Sequence, residues 1–94
     1  MNLTTLAEGQ AMIVRVAEAE PEVLPLPENT LEFYQKHVDG YIEVVSFSKE
    51  GKPYKSIFNE EGLIQNLPYN ELASHYLGFA VVGNVVIIND SDLK

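Results

Sequence analysis

An α+β fold of one small domain, ordered β-β-α-β-β-α-β, is predicted by three features of the sequence. Short runs of alternating apolar and polar residues read as strands. Two brief stretches with apolar residues at helical spacing each end at a glycine. The chain has only 94 residues, too few for a second core. The expected arrangement is a mostly antiparallel, curled sheet with both short helices covering one of its faces.

Residues 1–10 have no clear period and are expected to be a loose leader. Ala11–Ala17 is the first strand, with Met12, Val14 and Val16 on one face and Ile13 and Arg15 on the other. Glu18–Glu22 contains Pro21 and turns the chain. Glu22–Pro27 alternates again, but Pro25 and Pro27 cannot donate ladder hydrogen bonds, so this strand belongs at a sheet edge and closes a hairpin.

The first helix starts at Asn29 or Thr30, because Asn29 and Glu32 stand at capping-box spacing. Leu31, Tyr34 and Val38 form its apolar stripe, and Gly40 is the expected left-handed cap. About ten residues do not make a stable helix alone, so it must dock on the sheet. Tyr41–Phe47, rich in β-branched and aromatic residues, reads as the clearest central strand. After a polar turn at Lys49–Pro53, Tyr54–Phe58 returns, and Asn59–Gly62 turns again. Leu67–Asn70 leads into a second helix carrying Leu72, Ala73, Tyr76 and Leu77, closed by Gly78. Phe79–Ile88 is nearly all apolar; it is either one central strand or a hairpin about Gly83-Asn84. Residues 89–94 are polar and expected to fray.

Composition narrows the function. Fourteen acids against six bases give a formal charge of −8, opposed to binding the phosphates of DNA or RNA. Cysteine is absent, which removes disulfides, thiolate nucleophiles and zinc–thiolate sites. An apolar run of membrane-spanning length and a signal sequence are also missing, so a cytoplasmic protein without membrane contact is expected. His37 and His75 have no third ligand placed by spacing, and Glu60-Glu61 and Asp90/Asp92 do not form a calcium loop, so no metal or other cofactor is expected. Ser46, Ser48, Ser56, Ser74 and Ser91 lack a nucleophile elbow, and the six glycines form no phosphate loop. The expectation is a protein that is not an enzyme.

Two surfaces stand out. Glu18, Glu20, Glu22, Glu28 and Glu32 follow one another with no basic residue between them, and Tyr34 lies just beyond. This acidic stretch, with Tyr34, is the candidate surface for a partner protein with a basic face; steering by charge would speed their encounter. The bland reading is that the acids only keep the protein soluble. Lys52, Tyr54 and Lys55, with Asn59, Glu60 and Glu61 in the next turn, are the alternative, a site for a nucleotide-like signal. A further alternative is an oligomeric scaffold joined through Phe79–Ile88.

Gly40-Tyr41-Ile42-Glu43-Val44-Val45, Asn59-Glu60-Glu61-Gly62-Leu63, Leu67-Pro68-Tyr69-Asn70 and Gly83 within an apolar stretch together resemble the domain-of-unknown-function family DUF3846. The similarity spans roughly Ile13–Asn89 and departs at Val85–Ile88, where the family has polar positions. It implies an accessory protein of a phage or mobile element in a bacterial host. By association it implies a role against host defences, and it carries over no catalytic residue.

Overall fold

The computed structural model describes residues 2–93. Its elements are β1 (Gln10–Val14), β2 (Glu22–Pro25), α1 (Thr30–Val38), β3 (Ile42–Lys49), β4 (Lys52–Asn59), α2 (Glu71–Leu77) and β5 (Val85–Asn89). The chain is therefore α+β with the element order read from its sequence. The five strands form one sheet, β2-β1-β5-β4-β3, and every neighbouring pair is antiparallel.

The centre of the sheet is apolar on both sides. Every residue of β5 is buried, and so are Ala11–Val14 of β1. On one face Met12, Val14, Val85 and Ile87 pack with Tyr54 and with Ala73, Tyr76 and Leu77 of α2. On the other, Ala11, Ile13, Val86, Ile88 and Ile57 pack with Tyr34 and Val38 of α1. The two helices thus lie on opposite faces rather than sharing one. A strand with no polar face must be covered twice, and each fully buried valine or isoleucine contributes roughly 1.5–3 kcal/mol.

Three further expectations change. Tyr41–Phe47 is not central: β3 lies at the sheet edge and has no fully buried residue. Its composition specifies a strand, but Glu43, Ser46 and Ser48 leave it too polar to be covered twice. The leader is not loose: a 3₁₀ turn at Leu3–Thr5 places Leu3 and Leu6, 1% and 2% exposed, in the α2-side core. The tail is likewise held, since Asp92 Oδ2 accepts the Gly9 N–H at 2.8 Å and Ser91 donates to Glu8 at 3.1 Å. Met1 and Lys94, at the ends of that leader and tail, lie outside the described residues.

β2 is the second edge, as its prolines require. Segment 79–84 is neither strand nor hairpin. Val82 forms a single bridge with Tyr69, Gly83 turns at φ +76°, and the strand begins only at Val85. The left-handed cap of α1 is Asp39, at φ +61°, not Gly40. Gly40 is needed for a different reason: a Cβ there would stand 2.7 Å from Asn59 Nδ2.

Asparagines tie the covers to the sheet. Asn70, 1% exposed, accepts the Ala73 N–H at 2.9 Å as the cap of α2 and donates at 2.9 Å to the carbonyls of both Val14 and Gly83. Asn89 donates to the Leu6 carbonyl at 3.0 Å and so fixes the first turn. Replacing Asn70 with Ala removes a cap and orphans two buried carbonyls. Urea denaturation should show a loss of about 3 kcal/mol.

Candidate functional site

The chain leaves β1 through a strained bend: Ala17 sits at φ +62°, a left-handed conformation that disfavours a Cβ. The bend is held by Asn84, whose Oδ1 accepts the Val16 N–H at 3.0 Å while its Nδ2 donates to the His37 carbonyl at 3.4 Å. This anchor presents Glu18 and Glu20 to solvent, and Glu22, Glu28 and Glu32 are exposed beyond them. Glu22 and Glu32 are held locally. Glu22 pairs with Arg15 at 2.8 Å, a surface contact worth about 1 kcal/mol at most. Glu32 accepts from Asn29 Nδ2 at 3.0 Å as its own backbone N–H bonds back to Asn29 Oδ1 at 3.2 Å. Tyr34 does not join this surface. It is 3% exposed and points from α1 into the sheet, because positions 34 and 38 form the helix face that docks.

Between the acidic loop and α2 lies a cleft of about 790 Å³, within the range of ligand-sized sites. Ala17, Glu18 and Ala19 form one wall; Tyr69, Glu71 and His75 form the other. Its two carboxylates and the exposed phenol of Tyr69 suit a cationic group and oppose an anionic one. Ser74, which also lines the cleft, is occupied by the backbone of Val81, accepting its N–H at 2.9 Å. Among the described residues no group of three His, Asp or Glu side chains is placed to hold a metal ion. No helix among them is long and apolar enough to cross a membrane.

The lysine set is not brought together. Lys52 and Tyr54 share one face of β4, whereas Lys55 lies on the other, following the two-residue alternation of a strand. Lys52 Nζ sits 5.6 Å from the centre of the Tyr54 ring and contacts the Leu6 carbonyl. Lys55 bonds Asp90 at 3.0 Å and Ser46 at 2.6 Å. Tyr54 is fully buried, and its hydroxyl has no hydrogen-bond partner among the described residues. Asn59 is a structural joint: it donates to the Val38 and Asp39 carbonyls, each at 3.3 Å, and accepts the Glu61 N–H at 2.8 Å. Glu60 is exposed and Glu61 half-buried in the turn that follows.

His75 is exposed on the cleft wall, whereas His37 packs edge-on to Phe33 with ring centres 4.6 Å apart. Partial burial, then the charges of Arg15 and Lys36, lower the His37 pKa, and Glu22 opposes them. The cleft was not legible in the sequence, because Ala17–Ala19 and Tyr69–His75 are far apart along it. The same holds for a second, apolar depression of about 450 Å³ beside Phe58 and Val82, rimmed by Leu63 and Ile64, which are 80% and 81% exposed.

Sheet order, two-sided helical cover and an acid-lined cleft define a small antiparallel α+β domain. The chain belongs to the family described as a domain of unknown function, DUF3846, which matches residues 9–93. No curated protein and no solved structure matches it. The motifs that carry the resemblance interlock. Gly40 lies against Asn59, Gly62 against Val82, and Gly83 against Leu67, with a Cβ at any of the three coming within 2.8 Å of its neighbour. Asn70 holds the Gly83 carbonyl. They are joints between elements.

Two outcomes follow from these environments. Tyr54→Phe removes an unpartnered buried hydroxyl and should raise stability by about 1 kcal/mol in urea denaturation. His37 stays neutral in the folded protein at pH values where the unfolded chain already takes up a proton. Stability should therefore fall as pH drops below about 6.5, and His37→Gln should flatten that slope in thermal melts across pH 5–7.5.

Proposed function

We propose that this protein is a non-catalytic binding protein that docks its acidic edge on a basic surface of a partner protein. The observation that carries the reading is the acid-walled cleft beside Glu18. One of its carboxylates, Glu18, stands on a loop fixed from behind by Asn84, the other, Glu71, stands on α2, and the exposed ring of Tyr69 lines the same cleft. A pre-set loop loses little entropy on binding, and a carboxylate pair beside an aromatic face recognises a lysine or arginine side chain. In keeping with its family resemblance, we place the protein in the cytoplasm of a bacterial host, as an accessory protein of a phage or mobile element that blocks a host defence protein.

The nucleotide-like alternative has weaker support, since Lys52 and Lys55 stand on opposite faces of β4 and Tyr54 is covered. A scaffold joined through Phe79–Ile88 has weaker support too, because Val85–Ile88 is spent inside the sheet.

The test compares capture from host lysate by the native protein and by the triple variant Glu18→Lys/Glu20→Lys/Glu22→Lys. A partner held by the native protein should be released by moderate salt and lost by the variant, with the variant's circular dichroism unchanged. A partner retained equally by both proteins would overturn the reading.

A further inference from the structure

The two edges of the sheet are unequally protected. β2 is four residues long and ends in Pro25, with Pro27 beyond it, so it offers little to another strand. β3 is eight residues long, contains no proline, and pairs with β4 without a bulge from Ile42↔Asn59 to Lys49↔Lys52. Its outer side is an open ladder.

The geometry of the β3–β4 hairpin says which groups that ladder presents. Glu50 and Gly51 form a two-residue turn with both φ angles positive, +53° and +78°, the type I′ geometry. The pair flanking such a turn exchanges both hydrogen bonds, so odd-numbered residues of β3 bond inward to β4. The Tyr41 carbonyl accepts the Glu60 N–H and the Val45 carbonyl accepts the Ser56 hydroxyl, both on that inner side. Ile42, Val44, Ser46 and Ser48 therefore turn their N–H and C=O groups outward.

The geometry points to a second copy of this chain as the occupant of that edge, with β3 pairing antiparallel to β3 of the other copy about a two-fold axis at Ser46. Hydrogen-bond direction allows only registers that set even residues opposite even ones. Among these, the register centred on Ser46 places Glu43 opposite Lys49 twice over, and Val45 opposite Phe47 twice over, on the same face of the sheet. Moving the centre by one residue either way separates the charges. Among the described residues neither Glu43 nor Lys49 has an ion-pair partner, and Val45 and Phe47 are only half-buried, so both sets gain from the pairing. The dimer is a continuous ten-stranded sheet with the two acidic loops toward its far ends.

Sedimentation equilibrium of the full chain across a wide concentration range reads the association, and a charge exchange reads the register. Glu43→Lys and Lys49→Glu should each raise the dimer dissociation constant about tenfold, and the double exchange should restore it. The native chain has no cysteine, so Ser46→Cys gives a single thiol per copy. At the two-fold axis two such residues stand about 5.5 Å apart between Cα atoms, within disulfide reach. Ser48→Cys would leave its thiols roughly 13 Å apart. Rapid oxidative cross-linking of the first but not the second variant is the expected result. A monomer at all concentrations would overturn the proposal. So would a dimer indifferent to both single reversals, or equal cross-linking of the two cysteine variants.

Discussion

Strands β1 and β5 are apolar on both faces, and that double demand governs the rest of the chain. Neither α1, with nine residues, nor α2, with seven, is long enough to persist in water alone. Each exists because a strand face needs covering, and each face is completed by something else. On the α2 side Leu3, Leu6 and Val81 fill the remaining area; on the α1 side Leu24, Leu26 and Ile42 do so. Such thin covers bring loop backbone close to the core, where its polar groups need partners. Asn59, Asn70, Asn84 and Asn89 supply them, because one short amide can donate to one segment while accepting from another.

The same economy shapes the surface. The acidic loop hangs on the Val16–Asn84 hydrogen bond, and Asn84 in turn reaches the end of α1 through the His37 carbonyl. One side chain thus ties together the loop, the end of α1 and the start of β5. Glu22 and Glu32 of that stretch also serve the fold, one through Arg15 and the other through the cap of α1. The tyrosines differ: Tyr34 and Tyr54 are core residues, while Tyr41 and Tyr69, 68% and 56% exposed, face water.

Element identity was legible because alternation, capping pairs and glycine punctuation are local. Asn29 with Glu32, Gly78 after α2, and the prolines of β2 each behave as their local chemistry requires. Position within the sheet was less legible. β3 has stronger strand composition than β1, yet β1 is central, because what decides the matter is whether both faces of a strand are apolar. Met12 to Val14 passes that criterion, whereas Glu43, Ser46 and Ser48 fail it. The place of the leader is not legible for a related reason: Leu3 and Leu6 have no period of their own and gain a role only by packing with Met12 and Ile87. Lys52, Tyr54 and Lys55 are close along the chain, but strand alternation sends consecutive neighbours to opposite faces.

The partner of β1 is β5, with Ala11 set against Ile88, so the sheet joins two strands that lie far apart along the sequence. The β1–β2 and β3–β4 hairpins meet in the sheet only through β5, which follows both in the sequence. A lone hairpin is marginal in water, so each of the two depends on β5 for its place in a larger sheet. Pairing β1 with β5 closes a long stretch of chain, a non-local contact of the kind that slows folding. A chain cut before Val85 loses the strand that holds the two hairpins in one sheet.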